Sequence, residues 1–284
     1  MSGRITGIDH LVVGVQDLDT AAATWRRLGF TLTPRGRHRD MATGNYCIMF
    51  PVDYLELIGI VEPGLPDRGF GARLAEGGEG LDRCAFATDD PVALADRLRE
   101  SGIAAKGPAE LRRPVKTPDG GEADAIFRLV MLPDGAAPGI NGFVCYHDTP
   151  ELVRRPEWLR HENTALSIRS MTAVVERPED HVAAWEALLG PGSTVLTDDV
   201  VAAHAGSTPV MLVSPDHLAT MYPAAAADPD PAVPSMAVMS IAVEDTDRTA
   251  AVLGHNDVAF TRDPAGNVHV PPTESHGVRL VFER

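Results

Sequence analysis

The sequence is poor in cysteine, with three among its 284 residues. Cys47, Cys84 and Cys145 are an odd number for a disulfide framework, and each lies in a short apolar run where a buried, reduced thiol is expected. Long apolar runs are also missing. No stretch approaches the ~20 apolar residues of a membrane-spanning helix, and the N-terminus shows no apolar signal segment. We therefore expect a cytoplasmic protein.

Several motifs that identify common enzyme classes are absent as well. The sequence has no nucleophile elbow, no glycine-rich phosphate loop, no dinucleotide fingerprint and no paired CxxC. Basic residues are few, 25 against 40 acidic ones, and the net charge of −15 disfavours nucleic acid and membrane surfaces as partners. The expected partner is a small molecule, and the basic cluster at residues 35–39 leaves an anionic one open.

What the sequence does contain is a unit that occurs four times. In the first unit an apolar strand is followed by helix-capping residues, a helix over residues 21–28 and a glycine stop. Further strands are predicted over residues 30–33, 46–50 and 54–60. Similar units begin near residues 80, 166 and 236, and together they predict four βαβββ modules.

Proline- and glycine-rich stretches separate these modules. Residues 63–80 connect the first two, residues 223–234 connect the last two, and residues 149–164, with a short helix, join the halves. The predicted organisation is therefore an N-terminal half over residues 1–148, the linker, and a C-terminal half over residues 165–284 with two degenerate modules.

Two short apolar strands each contain one polar side chain. With the period of two that a strand imposes, His10 shares a face with Ile8 and Val12, while Glu56 interrupts a second strand. Burying an unpaired carboxylate costs several kcal/mol, so Glu56 requires a partner. If the strands are neighbours, that partner is a metal ion shared with His10, or else Arg83 in a buried ion pair. A lone histidine is also compatible with a hydrogen-bonded core residue.

The four modules, with IDHLVV at residues 8–13 and YLEL at residues 54–57, resemble the vicinal oxygen chelate (VOC) superfamily. More narrowly, RGRH at residues 35–38 and HDTPELVRRPEW at residues 147–158 resemble its glyoxalase-like domain branch, which is related to glyoxalases, bleomycin resistance proteins and extradiol dioxygenases. The resemblance implies an α+β fold with the modules paired into two half-open, barrel-like cups. It also implies a divalent metal in a cup, held by His and Glu from first and last strands, that chelates substrate oxygens.

Carried over position by position, the resemblance assigns roles to residues of the N-terminal half. The predicted metal ligands are His10, Glu56 and His147; the catalytic candidates are Glu56, Arg37 and Asn45; the substrate-binding candidates are Arg83, His38 and Tyr146. The metal set of two histidines and one carboxylate suits Fe, Mn, Zn or Ni. Arg83 departs from the pattern, because it stands at a ligand position and stays protonated. His147 is also placed to cap the linker, and Arg37, His38 and Asn45 to stabilise loops.

The C-terminal half lacks the corresponding ligands. Ser170 and Ser240 take its first-strand positions and Val281 its closing position, so a metal or ligand is expected in the N-terminal cup alone. One predicted function is a divalent-metal-dependent lyase, isomerase or dioxygenase acting on a small oxygenated metabolite, whose carboxylate, if present, would pair with Arg83 or Arg37. The other is a metal-free protein that sequesters an apolar or drug-like ligand. Both a monomer and a homodimer are compatible with the sequence.

Overall fold

A computed structural model describes residues 3–117, 120–224, 228 and 230–284. The first module consists of β1 (Ile5–Gly14), α1 (Leu18–Arg27), β2 (Gly36–Arg37), β3 (Thr43–Met49) and β4 (Tyr54–Ile60). After α2 (Phe70–Gly77), the second consists of β5 (Gly80–Thr88), α3 (Pro91–Glu100), β6 (Lys106–Lys116), β7 (Glu122–Met131) and β8 (Gly142–His147).

The C-terminal half repeats this order. The third module consists of β9 (Ala165–Val174), α4 (Val182–Leu189), β10 (Thr194–Thr197), β11 (Val200–Ala205) and β12 (Thr208–Val213). After α5 (Pro215–Met221), the fourth consists of β13 (Ser235–Val243), α6 (Thr246–His255), β14 (Thr261–Arg262), β15 (Val268–Val270) and β16 (Arg279–Glu283). The four predicted βαβββ modules are confirmed.

The modules pair as predicted, one with two and three with four. The first sheet has the order β2-β3-β4-β1-β5-β8-β7-β6, and the second has the order β10-β11-β12-β9-β13-β16-β15-β14. In the first sheet β1 lies between β4 and β5, parallel to one and antiparallel to the other. This sheet curls until its edge strands β2 and β6 come close together, so it forms a nearly closed cup.

One large apolar core extends across both halves. It contains the outward-facing side chains of the sheets, such as Leu11 and Val13 of β1, and the helix residues Trp25 and Trp185, both fully buried. α1 begins at Leu18 because the carboxylate of Asp17 accepts the Thr20 N–H, and its apolar side then packs on the sheet. The apolar side chains on the inner faces of the cups form separate, smaller clusters. Those of the N-terminal cup leave room for a site between them.

Several elements differ from the sequence-based expectations. Residues 30–33 are not a strand, since Thr33 makes one backbone bond to Cys47 instead of a ladder. Strand β6 was missed because two prolines and five charged side chains obscure its pattern, which an edge strand tolerates. The connection at residues 63–80 contains α2, and α5 precedes the linker at residues 223–234, which lies partly outside the described residues.

The C-terminal cup is largely occupied by its own side chains. Leu218 of α5 and Val281 of β16 belong to a buried cluster inside it, and Tyr222 packs against that cluster. The Tyr222 hydroxyl lies 2.8 Å from Thr172 Oγ1, and a smaller cavity of about 200 Å³ remains beside it. The expectation that only the N-terminal cup holds a ligand remains a prediction. No described helix is long and apolar enough to span a bilayer.

Asp53, between β3 and β4, connects the two halves. Its Oδ1 accepts a hydrogen bond from the backbone N–H of Ile168 in β9 at 3.1 Å. Burial raises the pKa of Asp53 to about 7, although the Ile168 N–H and the charge of Arg154 act in the opposite direction. The folded chain therefore holds a proton here that the unfolded chain releases near its ordinary pKa of about 4.

We expect Asp53→Asn to remove a pH dependence of stability. Between about pH 4 and pH 7 the folded wild type binds more protons than the unfolded chain, so its stability falls as pH rises through this window. Asn keeps the acceptor oxygen for Ile168 and stays neutral, so the variant gains on the order of a few kcal/mol relative to wild type at pH 8 and little at pH 4. Urea unfolding at both pH values measures this difference. Asp96→Asn, at an exposed position of α3, is the control, and a pH-independent effect of Asp53→Asn contradicts the prediction.

Candidate functional site

A β-bulge in β1 shapes the floor of the N-terminal cup. Along the β1–β5 ladder Ile8 pairs with Phe86 and His10 with Ala85, so Asp9 is an extra residue between them. Because a bulge interrupts the alternation of side chains, Ile8 packs into the large core while Asp9 and His10 both contact groups of the inner face. The expected shared face of Ile8 and His10 is therefore wrong.

Glu56 of β4 lies next to His10 and is approached by three side chains. Its Oε2 is 3.8 Å from His10 Nε2, and its Oε1 is 3.5 Å from His38 Nε2. Asn45 of β3 donates its Nδ2–H to the same Oε1 at 2.6 Å. Residue 36 in β2 is glycine where space is needed, because a Cβ there would lie 2.2 Å from Asn45 Oδ1. The predicted residues His10, Glu56, His38 and Asn45 are thus brought together.

The outer nitrogen of each imidazole is anchored. His10 Nδ1 lies 2.6 Å from Asp9 Oδ1, and His38 Nδ1 lies 2.8 Å from Thr43 Oγ1. Burial raises the pKa of Asp9, but His147 and His10 together outweigh burial and hold that pKa well below its ordinary value. An ionised Asp9 only accepts hydrogen bonds, so His10 Nδ1 carries the proton. The other ring nitrogen, His10 Nε2, faces Glu56.

Glu56 is also ionised. Burial raises its pKa, but hydrogen bonding and charge from His38, the charge of His10 and the Asn45 hydrogen bond lower it further than burial raises it. The net result is a buried carboxylate whose pKa is well below its ordinary value. Its oxygens face two imidazole nitrogens at distances too long for strong hydrogen bonds. A buried carboxylate faced by two imidazole nitrogens favours a cation, which is a proton on the rings or a metal ion.

His147 is not part of this group. Its Nε2 lies 3.1 Å from Asp9, which also has Arg154 Nη2 at 3.5 Å, and its Nδ1 is buried without a partner among the described residues. His147 therefore holds Asp9, which in turn contacts His10, and among the described residues His147 makes no contact with Glu56. The second imidazole beside Glu56 is His38, a residue that the sequence assigned to substrate binding.

Three other predicted residues have different positions. Arg37 is exposed and forms an ion pair with Glu62, outside the cavity. Tyr146 follows the cavity-lining Cys145 in β8, so it points to the opposite face of the sheet. Arg83 lines the cavity, but its Nε donates to Asp82 at 3.1 Å. Arg83 therefore forms its ion pair with Asp82, and among the described residues it forms none with Glu56. The alternative of an Arg83–Glu56 ion pair is wrong.

A cavity of about 320 Å³ opens beside Glu56. Its walls are mostly apolar and include Phe70, Phe127 and Phe143. Arg113 of β6, which sequence reasoning missed, also lines it and lies with its guanidinium 5.7 Å from the centre of the Phe127 ring. Arg113 was missed because the charged residues around it in β6 are typical of a solvent-exposed strand. The one sequence signal that it faces the cavity was its two-residue spacing from Leu111, which lines the same wall.

Asp9, His10 and Cys145 form another close group, with ligand atoms within 4.8 Å of one another. Its atoms are already engaged, because Asp9 accepts from His10 and His147 at hydrogen-bond distance. Burial, with the charge of Asp9, also raises the pKa of the Cys145 thiol well above its ordinary value, and a protonated thiol is a poor ligand. The cluster around Glu56 is therefore the better candidate for a metal centre.

The sequence matches a family model described as a glyoxalase-like domain over residues 8–189. No curated protein matches it. The fold is similar to that of a hypothetical protein from Staphylococcus aureus, with a TM-score of 0.67, 12% identity, and coverage of 97% of this chain and 98% of that chain.

Two solved structures whose names state an activity also share the fold, with similar TM-scores and sequence identities. A mutant 4-hydroxymandelate synthase from Streptomyces coelicolor has a TM-score of 0.59 at 12% identity, covering 98% of this chain and 92% of that chain. A Mn(II)-bound glyoxalase from Novosphingobium aromaticivorans has a TM-score of 0.56 at 13% identity, covering 98% and 82%. At such identities the likeness establishes the architecture only.

Proposed function

Because the chain belongs to the glyoxalase-like domain family of the VOC superfamily, we propose that it is a divalent-metal-dependent enzyme acting on a small oxygenated molecule in the N-terminal cup. The reaction is of the lyase, isomerase or dioxygenase type found in this superfamily. Fold alone does not select the chemistry, so the proposal depends on the site. The structural neighbour that is a Mn(II)-bound glyoxalase agrees with a metal-dependent reaction.

One observation carries the proposal: His10 and His38 direct their Nε2 atoms to the same carboxylate while their Nδ1 atoms are anchored elsewhere. A carboxylate that holds the far nitrogen of an imidazole is the usual outer support of a metal-bound histidine, and Asp9 gives His10 this support. Each imidazole lies 3.8 or 3.5 Å from one oxygen of Glu56, which suits neighbouring ligands of one ion, roughly 3 to 4 Å apart for bonds of about 2.1 Å. The three ligand atoms do not all lie within 4.8 Å of one another, so the rings would move closer together on binding the ion.

His10, His38 and Glu56 would therefore hold the ion, as a set of two histidines and one carboxylate suited to Fe, Mn, Zn or Ni. Such an ion polarises the substrate oxygens that it chelates. Asn45 holds one carboxylate oxygen and so orients Glu56. The apolar side chains that line the cavity, Phe127 and Phe143 among them, limit the water around a bound substrate. Electrostatic interactions between the substrate and the charged groups of the site, Glu56 included, are then stronger than in water.

A metal-free binding protein is the second candidate. It is favoured by the contacts of Asn45, His38 and His10 with Glu56, which compensate the carboxylate without an ion if the rings are protonated. In that case the cavity would sequester an apolar or drug-like ligand.

Metal binding separates the two candidates. Purified protein is stripped with a chelator, incubated in turn with Fe(II), Mn(II), Zn(II) and Ni(II), and analysed by elemental analysis and titration calorimetry. We expect about one tightly bound ion per chain for at least one metal, and its loss in His10→Ala and His38→Ala. Wild-type protein that stays metal-free in all four cases would reject the metal-dependent enzyme in favour of the binding protein.

We expect Asp9→Asn to weaken metal binding without abolishing it. An amide in place of the carboxylate no longer supports the Nδ1–H of His10 with a negative charge, and loss of such outer partners typically costs about 10- to 100-fold in metal affinity. Competition with a chromophoric chelator measures the change. Asp82→Asn is the matched control, because it alters a carboxylate near the cavity whose side-chain partners among the described residues are Arg73 and Arg83. Equal affinities of Asp9→Asn and wild type would contradict the support role.

A further inference from the structure

The guanidinium of Arg113 lies at the cavity with few partners. Its Nη1 is 3.5 Å from Cys47 Sγ, which is a weak acceptor, and its Nε is buried without a hydrogen bond among the described residues. No ion pair with a carboxylate forms within the described ranges, whereas Arg73 and Arg83 each pair with Asp82. Arg68 also lines the cavity without an ion pair to a described residue, but it is exposed. A guanidinium presents five donors in a planar fork, so Arg113 retains most of its capacity for an acceptor.

Four carboxylates lie at or beside the cavity, Glu56, Asp67, Asp82 and Asp134, and none of them forms an ion pair with Arg113 among the described residues. Arg73 and Arg83 share the single carboxylate of Asp82, at 2.8 and 3.1 Å. Asp67 is occupied by the backbone N–H groups of Gly69 and Gly71 at the start of α2. The four arginines at the cavity are therefore balanced in number by these carboxylates, but the guanidinium of Arg113 has no direct carboxylate partner among the described residues. An anionic group of the ligand would supply that partner.

Glu56 does not fully account for Arg113 either. The two attract each other across the cavity, but a divalent ion on Glu56 would give that centre a net positive charge and leave Arg113 uncompensated. A single guanidinium binds one carboxylate, and its fork geometry matches that group. The remaining wall is aromatic and aliphatic, with Phe127 under the guanidinium and Phe143 and Leu111 near it.

We propose that Arg113 recognises a carboxylate of the substrate, and that the substrate is an apolar, ring-bearing monocarboxylate. The cavity of about 320 Å³ is at the lower end of the ~300–1,000 Å³ range of small-molecule sites, which suits a ligand with one or two rings. The inference rests on the proposed function, since it concerns the same cavity with the ion in place. It assigns Arg113, and not Arg37 or Arg83, as the residue that selects the substrate charge.

The test uses pairs of probes that differ only in charge: benzoate and benzamide, 3-phenylpropionate and 3-phenylpropionamide, 2-naphthoate and 2-naphthamide. Each is titrated calorimetrically into Mn(II)-loaded wild type, Arg113→Gln, Arg113→Lys and Arg112→Gln. Arg112 is the matched control, because it is the neighbouring residue of β6, is exposed and contacts Glu110 on the outer face.

We expect at least one acid to bind wild type about 10-fold or more tightly than its amide, and Arg113→Gln to remove this preference by weakening only the acid. Arg113→Lys should retain part of it as a point charge, and Arg112→Gln all of it. Absence of any acid preference, or a preference unchanged in Arg113→Gln, overturns the inference; the second result would mean that the ion alone attracts the acid. If Arg113→Gln does not fold, as judged by circular dichroism, an undiminished preference in Arg113→Lys overturns it instead.

The same titrations on chelator-stripped protein distinguish the inference from the proposed function. If the wild type takes up none of the four metals but the stripped protein still shows an acid preference that depends on Arg113, the inference is supported and the metal-dependent enzyme is rejected. Stoichiometric metal with an acid preference independent of Arg113 upholds the metal-dependent enzyme and rejects the inference.

Discussion

Glu56→Gln is expected to abolish stoichiometric metal binding while the chain remains folded. The substitution keeps the shape of the side chain but removes the negative charge on which His10 and His38 converge. Two neutral imidazoles and an amide oxygen are a much weaker set for a divalent ion, so the affinity should fall by on the order of 100-fold or more. Elemental analysis after dialysis, with calorimetric titration, measures the loss.

Glu62→Gln is the control for this experiment. Glu62 is a partly exposed carboxylate just beyond β4 that pairs with Arg37 outside the cavity, so this variant should bind metal like wild type. Circular dichroism and urea unfolding should show Glu56→Gln to be folded, because a neutral amide is less costly to bury than a carboxylate. If Glu56→Gln retains one ion per chain while Cys145→Ser loses it, the ion is held by the group of Asp9, His10 and Cys145 instead.

Gly206→Ala is expected to cause the largest loss of stability from a single methyl group. Gly206 lies in the turn between β11 and β12 with φ at +59°, and a Cβ there would be 1.9 Å from the backbone oxygen of Thr6 in β1. Both the left-handed conformation and the contact between halves oppose a side chain. The backbone conformation alone costs ~1–2 kcal/mol, and separation of the two backbones should bring the total to ~3 kcal/mol or more.

Gly192→Ala separates these two contributions. Gly192 has φ at +71°, and no atom lies within 4 Å of the place that a Cβ would take, so only the conformational cost of ~1–2 kcal/mol is expected. Denaturant unfolding of both variants at one pH gives the comparison. Similar losses in Gly206→Ala and Gly192→Ala would show that the turn of the C-terminal half does not press against β1.

Local sequence signals were sufficient for most of the fold. The capping residue Asp90, Pro91 at the start of α3 and the glycine after the helix are such signals, and they placed that helix correctly. Similar signals recur in each module, so the four modules and their pairing followed from the sequence. Edge strand β6 and helices α2 and α5 did not, because their sequences have mixed charge or many turn-forming residues.

For the site, the sequence by itself determined that His10 and Glu56 each interrupt an apolar strand and that Glu56 requires compensation; the structure shows that the two strands are neighbours. Only the tertiary structure decided which groups surround them. The bulge at Asp9 places that carboxylate on the inner face beside His10. His147 then contacts Asp9 instead of Glu56. A bulge depends on how two strands pair, and it produces no periodic pattern in the sequence of either strand from which it could be predicted.

The positions of His38 and Arg113 were decided in the same way. His38 follows the short edge strand β2 and Arg113 lies in the opposite edge strand β6, and both reach the cavity because the curled sheet brings those edges together. Their sequence neighbours are charged and polar, which is typical of an exposed loop or edge. Closure of the sheet depends on the accumulated twist and stagger of all eight strands, and no single segment of the sequence contains that information.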